Sequence, residues 1–219
     1  MLEPQLVVIN KPVGLTSHDV VDIIRRELRP WCAKRPLVGH AGTLDPFATG
    51  VLIILIGQAT KTQSFFMNGL KTYRATIALG QATDTGDLTG KTTATKKVSP
   101  LTIKQITACL TKLVGLQVQA VPLYAAAKVD GKKLYEYARA DQEPPRRPIR
   151  VITIKEIRLI DYESGSHELT FETICTSGTY IRALAEKIAT HLGTVGHLKA
   201  LCRLQSGDFS LTDTLEIDV

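Results

Sequence analysis

The stretch from Val38 to Gly50, VGHAGTLDPFATG, combines several glycines with one histidine and one carboxylate, and its composition is suited to chemistry. The glycines permit backbone conformations that other residues avoid. Pro46 keeps the preceding Asp45 out of the helical region, which gives the carboxylate a defined direction. We interpret Asp45 as a nucleophile or general base, because both roles require a positioned carboxylate. The alternative is an aspartate that caps an ordinary turn.

Two predicted strands would position such a site. Val51 to Ile56 (VLIILI) predicts a strand that is buried on both faces and holds the Asp45 loop at one end. Lys71 to Leu79 alternates between polar and apolar residues, which predicts a second strand with Tyr73 on its inward face. An inward tyrosine is either a core aromatic or a residue that contacts a ligand.

Helices are predicted around these strands. Thr16 and Asp19 have the spacing of a capping box, and the helix that they begin ends at Pro30. Ser99-Pro100 predicts the start of another helix. Phe65 and Phe66 are expected in the core.

Four segments together resemble the TruB family of tRNA pseudouridine synthases, which modify uridine 55 in the T arm. They are KPVGLTS from Lys11, GHAGTLDPFATGVL from Gly39, KTY from Lys71 and CTSGTYIRAL from Cys175. The segments follow the family's order and extend over nearly the whole chain, which makes chance agreement far less probable than for one isolated motif. On these motifs the sequence is identified as a member of the family.

The resemblance implies that uridine 55 is isomerised to pseudouridine after base flipping, without a cofactor or metal. Asp45 is then the catalytic aspartate, Tyr73 stacks on the target base, and Arg182 pairs with Asp45. The aspartate could attack C6 of the base or C1′ of the ribose, or it could remove the proton at C2′, and the sequence leaves these routes open. The expected substrate-binding residues are Lys11, His40, Gly42, Thr43, Tyr180, Leu201, Lys132, Arg146 and Arg147.

Charge supports an anionic partner. The formal net charge is +6 and the pI is near 9.2, which suits a nucleic acid without proving one. From Lys128 to Arg150 the chain has seven basic and four acidic residues. Because the run EPPRRP within this segment excludes regular structure, we interpret residues 124–150 as an exposed, mobile, basic loop. In the family, the thumb loop, which binds RNA, occupies this part of the chain. The alternative interpretation of residues 124–150 is a solvated surface loop.

Composition and residue spacing disfavour a membrane protein, a disulfide-bonded protein and a metalloprotein. No apolar run approaches the roughly 20 residues that cross a bilayer, so we expect a cytoplasmic protein without membrane contact. The four cysteines form no CxxC pair and the five histidines lack metal-ligand spacing, so we expect no disulfide and no metal. Asp84 and Asp87 in QATDTGDLTG fit no calcium loop, and we expect a loop at the edge of the substrate, as in the family.

The strand runs and isolated helices do not alternate as regular βαβ units, which predicts an α+β fold with a mixed, mostly antiparallel sheet flanked by helices. We expect one catalytic domain over residues 1–219, without the C-terminal PUA domain common in the family, since the sequence stops at Val219. The expected partner is the T-arm stem-loop of tRNA, bound by a monomer that needs no guide RNA. Two rival hypotheses are a noncatalytic RNA-binding protein and a guide-RNA-directed relative, and an assay without a guide distinguishes them.

Overall fold

The computed structural model describes residues 3–217. Its secondary structure is α+β, with a large, mixed, mostly antiparallel sheet and helices, which confirms the predicted fold class. The chain divides into two compact units, residues 1–74 with 201–219 and residues 75–200. Two strands, β4 (Lys71–Leu79) and β12 (Gly196–Ser206), have residues in both units.

The first unit is arranged around one almost entirely apolar strand, and the cap of its helix α1 (Ser17–Leu28) was predicted correctly. Helix α1 begins after Thr16, which accepts from the Asp19 N–H while the Asp19 side chain accepts from the Thr16 N–H. In chain order, the elements that lie wholly within this unit are β1 (Gln5–Lys11), α1 (Ser17–Leu28), β2 (Val38–Ala41), β3 (Thr49–Ile56), α2 (Gln63–Met67) and β13 (Phe209–Ser210).

Strand β3 is the centre of this unit. It pairs antiparallel with β1 along one edge, and along the other edge it pairs first with β12, parallel, and then with β2, antiparallel. Leu52, Ile54 and Ile56 pack against the apolar side of α1, whereas Ile53 and Leu55 pack on the opposite face beside Phe66 and Phe209. The strand is therefore buried on both faces, as its sequence predicts. Each such side chain contributes roughly 1.5–3 kcal/mol when fully buried.

The second unit has four neighbouring strands in the order β4, β11, β10, β7. In β4, the side chains alternate as predicted, with Ala75, Ile77 and Leu79 buried. The further elements of this unit are β5 (Gln81–Thr83), β6 (Thr92–Thr95), α3 (Ile103–Thr111), β7 (Gly115–Ala120), β8 (Lys128–Val129), β9 (Lys132–Lys133), α4 (Leu134–Arg139), β10 (Ile149–Glu163), β11 (Glu168–Cys175) and α5 (Ile181–His191).

Helices α3 and α5 supply the core of this unit. Helix α5 buries Ile181, Leu184, Ala185, Ile188 and Ala189. These residues recur at helical spacing and form one apolar stripe. Helix α3 buries Ile106, Cys109 and Leu110.

Three local predictions were wrong. Helix α3 begins at Ile103 rather than after Ser99, because Thr102 and Gln105 form a capping box that the serine and proline do not. Phe65 is 74% exposed, so it is not a core residue. Residues 124–150 are not one irregular loop, because they contain the hairpin β8–β9 and helix α4.

Segment 124–150 has a small core that also includes Val121. Val121, Ala125, Val129 and Leu134 are buried together, and this cluster explains why a basic, proline-containing segment still folds. Irregular backbone is found at residues 124–127 and again at residues 142–148, where the run EPPRRP predicted it.

Among residues 3–217, no helix is long and apolar enough to cross a membrane. In the same range no group of three or more metal-ligating side chains is placed to hold an ion. All four cysteines are free thiols.

Candidate active site

The loop that carries Asp45 connects β2 to β3 and is hydrogen-bonded on both sides of the aspartate. The buried Leu44 donates its N–H to Ser17 Oγ at 2.8 Å, and the Ser17 hydroxyl donates to the Leu44 carbonyl at 3.1 Å. On the other side, the Ala48 N–H donates to the Asp45 carbonyl at 3.0 Å, closing a turn. Asp45 is half-buried. Its backbone is thus fixed, as the predicted role requires, and Ser17 is a supporting residue that the sequence did not reveal.

Lys11, at the end of β1, also supports this loop. Its ammonium group donates to the carbonyls of Pro12 (2.8 Å), Leu15 (2.7 Å) and Pro46 (3.3 Å), and the residue is 0% exposed. Lys11 is one of the expected substrate-binding residues, and in this structure its ammonium group binds the protein's own backbone instead. An ammonium group with three carbonyl acceptors and no exposed surface has no donor left for a phosphate.

The charge of Lys11 is sensitive to its surroundings. Burial lowers its pKa from 10.5 to about 8, an effect that the nearby charge of Asp45 opposes and that of Arg203 increases. Lys11 still carries its proton at neutral pH, so a buried positive charge lies close to the Asp45 loop.

Arg203, from β12, joins the two ends of the loop. Its Nε donates to the Val51 carbonyl at 2.7 Å and its Nη2 to the Gly42 carbonyl at 3.0 Å, and the residue is 1% exposed. The strands meet closely here, since a Cβ on Gly50 would lie 2.2 Å from the Arg203 carbonyl oxygen. Arg203 lies two residues after Leu201, but nothing in the sequence predicted a contact between Arg203 and the loop.

The other predicted residues of the loop differ in exposure. Thr43 is exposed, and Gly42 has a φ of +105°, which favours glycine. His40 lies in β2, and burial lowers its pKa. Its Nδ1 is buried without a hydrogen-bond partner among the described residues. A neutral, partly buried imidazole is better suited to contact with a base than to binding a phosphate.

Tyr73 and Leu201 lie in β4 and β12, with exposed fractions of 8% and 7%. Lys71, two residues before Tyr73, donates its ammonium group to the Phe66 carbonyl at 3.1 Å. The inward orientation of Tyr73 is confirmed. Its contact with a target base stays a prediction, as does that of Leu201.

Arg182 lies in the first turn of α5 and is almost completely buried. Its Nη1 donates to the Thr85 carbonyl at 2.7 Å and its Nη2 to the Tyr124 carbonyl at 2.8 Å. Its Nη1 also lies 3.7 Å from Asp87 Oδ2. A cation near a helix N-terminus needs an anion, and Asp87 provides one. The pairing of Arg182 with Asp45 stays a prediction.

Asp87 is itself held in place by the loop QATDTGDLTG. Its Oδ1 accepts from the Thr85 hydroxyl (2.8 Å), the Thr89 N–H (3.0 Å) and the Thr89 hydroxyl (2.5 Å). These bonds leave Oδ2 facing Arg182. The loop therefore supports the predicted catalytic arginine, a role that the sequence did not reveal.

The basic residues of segment 124–150 make different contacts. Arg146 has a 75% exposed side chain, 3.7 Å from Asp130, whereas Arg147 donates to the Val121 carbonyl at 3.1 Å. Lys132 donates to Gln142 at 3.1 Å and lies 4.4 Å from the centre of the Tyr137 ring. Tyr180 exchanges two backbone hydrogen bonds with the Gln119 side chain. Contact between these four residues and RNA stays a prediction.

Two solved structures contain a chain with a similar fold. A chain in the crystal structure of a Cbf5-Nop10-Gar1 complex matches with a TM-score of 0.72 and 25% identity, over 97% of this chain and 52% of that one. A chain in an H/ACA RNP bound to a substrate RNA containing 2'-deoxyuridine matches with a TM-score of 0.69 and 23% identity, over 96% and 50%. Both matches cover nearly the whole of this chain, so its fold is shared with these two chains.

Sequence comparison gives the family. The TruB family pseudouridylate synthase (N terminal domain) model matches residues 31–181. The tRNA pseudouridine synthase B of Bacillus cytotoxicus is 44% identical over 97% of this chain and 69% of its own length. The enzyme of the same name from Psychrobacter arcticus is 43% identical over 97% and 55%. The chain belongs to the TruB family, and it spans between about half and two thirds of the length of these relatives.

Proposed function

We propose that this chain isomerises uridine 55 in the T arm of tRNA to pseudouridine, acting as a monomer and without a guide RNA or a cofactor. The observation that carries the proposal is the fixed loop around Asp45, whose backbone is bonded to Ser17 and whose ends are joined by Arg203. The relatives named tRNA pseudouridine synthase B support the choice of RNA.

In this proposal the reaction breaks the bond between C1′ and N1, turns the uracil without releasing it, and joins C1′ to C5. Asp45 attacks C6 or C1′, or removes the C2′ proton, and each route needs an ionised carboxylate at a fixed position. The reaction is an isomerisation, so no electrons or phosphoryl groups are supplied from outside.

Arg182 and Tyr73 are assigned supporting roles. Arg182 stabilises the negative charge of Asp45, because an opposite charge at contact distance favours the carboxylate. Tyr73 stacks on the extruded base, since an atom within a base stack is out of reach until the nucleotide flips. His40, which burial favours in the neutral form, occupies the space that the base leaves.

A guide-directed enzyme is the second candidate, because the similar folds include a chain from an H/ACA RNP. The observation against it is the higher identity, 43–44%, to relatives named as tRNA enzymes. A noncatalytic RNA-binding protein would not need a fixed aspartate beside a buried lysine and arginine.

One assay separates the three functions. The purified chain is incubated with unmodified tRNA transcript in the absence of other RNA, and pseudouridine is mapped by chemical labelling and primer extension. We expect pseudouridine at position 55 alone, and none in a transcript with cytidine at that position. Activity only after a guide RNA is added would support the second candidate. RNA binding without any product would support the third.

A further inference from the structure

Trp31 is the single tryptophan of the chain and is 82% exposed. It ends a short 3-10 turn, Arg29–Trp31, that directly follows helix α1. A large aromatic ring in water loses the stabilisation that burial would give it, and neither the core nor the candidate active site of the first unit uses it. This position therefore suggests contact with a partner.

The backbone that carries the ring is ordered. Pro30 restricts the backbone before it, the Cys32 N–H donates to the Arg29 carbonyl at 3.2 Å, and the Arg29 guanidinium donates to the Cys32 carbonyl at 2.8 Å. Further on, the Gly57 N–H donates to the Leu37 carbonyl at 2.8 Å. An ordered backbone loses little conformational entropy when the ring that it carries binds a partner.

The surroundings of Trp31 are basic. Residues 22–35 include five basic and two acidic side chains, so these fourteen residues carry the same surplus as the 23 residues from Lys128 to Arg150. Arg25 and Arg26 lie beside Asp22 and Glu27. The other three cations, Arg29, Lys34 and Arg35, are exposed and have no acidic partner among the residues that the structure describes.

An exposed aromatic ring among unpaired cations matches a single-stranded nucleic acid, because the ring stacks on a base while the cations bind phosphates. Protein interfaces use tryptophan as well, but lysine is depleted from their centres. His40 is nine positions after Trp31, so their Cα atoms are at most about 30 Å apart. An RNA bound at His40 is long enough to reach Trp31.

We propose that Trp31, with Arg29, Lys34 and Arg35, forms a second RNA contact, in which the indole stacks on an unpaired base of the substrate tRNA and the three cations bind adjacent phosphates. The proposal rests on the proposed function only for the identity of the RNA. The surface around Trp31 then contributes to affinity for the substrate, and the site around Asp45 carries out the chemical step.

Fluorescence tests the contact directly, because the emission of the only tryptophan reports on this position alone. The full chain is titrated with unmodified tRNA, and emission and quenching by iodide are recorded. Stacking should lower the emission by at least about half, and the bound RNA should reduce iodide quenching several-fold.

Two sets of variants test the energetics. Trp31→Ala should raise Kd and KM by about tenfold with kcat unchanged, whereas Trp31→Phe should stay within about threefold, since a ring face remains. Replacing Lys34 and Arg35 together by Gln should lower the log-log salt slope of binding by about 1.4 to 1.8. The control replaces the exposed Lys96 and Lys97 by Gln, which removes the same charge elsewhere and should leave the slope unchanged.

Emission and iodide quenching that do not change while the chain still makes pseudouridine would overturn the second contact and leave the proposed function intact. Quenching of Trp31 that increases with protein concentration in the absence of RNA would instead assign this surface to self-association. Equal Kd values for wild type and Trp31→Ala would also overturn the proposal. An absence of pseudouridine with the wild type would count against the proposed function alone.

Discussion

Arg182 Nη1 and Asp87 Oδ2 lie 3.7 Å apart, and both side chains are almost completely buried, with exposed fractions of 5% and 6%. An isolated buried charge is costly, and removing one partner of such a pair typically costs about 3–5 kcal/mol because the other charge stays buried. Since the Arg182 guanidinium also donates to two backbone carbonyls, its orientation is fixed from three directions. Asp87 is therefore a positioning residue for the proposed catalytic arginine.

Asp87→Asn should lower kcat by at least about tenfold and leave the Kd for tRNA within about threefold. The amide keeps the size of the side chain but not the charge that faces Arg182. Activity is measured below the melting temperature of the variant. The matched control is Asp84→Asn in the same loop, whose exposed carboxylate accepts from the Lys91 N–H and the Tyr124 hydroxyl instead. Equal kcat values for the two variants would remove the positioning role.

Asp45→Asn should abolish pseudouridine formation and leave RNA affinity within several-fold, because one charge matters more to the chemical step than to the extended contact with RNA. Single-turnover product formation and equilibrium binding are measured on the same preparation. Since Asp45 is only half-buried, the variant should fold. Measurable turnover by the variant would exclude Asp45 as the nucleophile.

Tyr73→Phe should retain more activity than Tyr73→Leu, because only phenylalanine keeps a ring face that can stack on the base. Tyr73 is 8% exposed, so melting temperatures are compared to separate lost stacking from lost packing. If both variants lose the same fraction of kcat, the hydroxyl rather than the ring is the important group.

Lys11 should make stability depend on pH. Its folded pKa, about 8, lies below the ordinary value of 10.5. Between these values the unfolded chain binds more protons than the folded one, so the free energy of unfolding should rise with pH in this window. Lys11→Met lacks the proton and should lack this rise. The free energy of unfolding of wild type and Lys11→Met is measured with urea at about pH 7.5 and about pH 10. An equal change with pH in both proteins would contradict the assignment of the rise to Lys11.

Gly50→Ala should destabilise the first unit far more than Gly14→Ala. Both glycines have a φ near +100°, but a Cβ on Gly50 would lie 2.2 Å from the Arg203 carbonyl oxygen, whereas one on Gly14 has nothing within 4 Å. The strained conformation alone costs on the order of 1–2 kcal/mol, and the steric clash should raise the loss at Gly50 to about 4 kcal/mol or more. Urea midpoints measure the loss of stability in both variants. Similar losses would show that β3 and β12 move apart easily enough to accept a Cβ on residue 50.

Local patterns were reliable where neighbours in the sequence determine the structure. The cap of Thr16 with Asp19, the alternation in β4 and the apolar run of β3 each follow from residues a few positions apart. The order of the TruB motifs also placed Asp45 in a fixed loop.

Contacts between distant residues were not predictable in this way. The burial of Lys11 was not foreseen, because its three acceptors are created by the folded turns and not by its strand. The support of Arg182 by Asp87 joins positions 95 residues apart. The small core under segment 124–150 depends on four aliphatic side chains spread among charges, which give no periodic signal.

The hydrogen bond from Arg203 to the Gly42 carbonyl joins residues that are 161 positions apart, and this has a consequence during translation. At roughly 5–20 residues per second, the ribosome makes the Asp45 loop about 10–30 s before it makes the arginine that joins the ends of that loop. A nascent chain that has not reached Arg203 therefore has Asp45 on an unclosed segment. Protein synthesis itself should thus delay the onset of the proposed RNA modification, and fragments that stop before Arg203 should bind RNA without altering it.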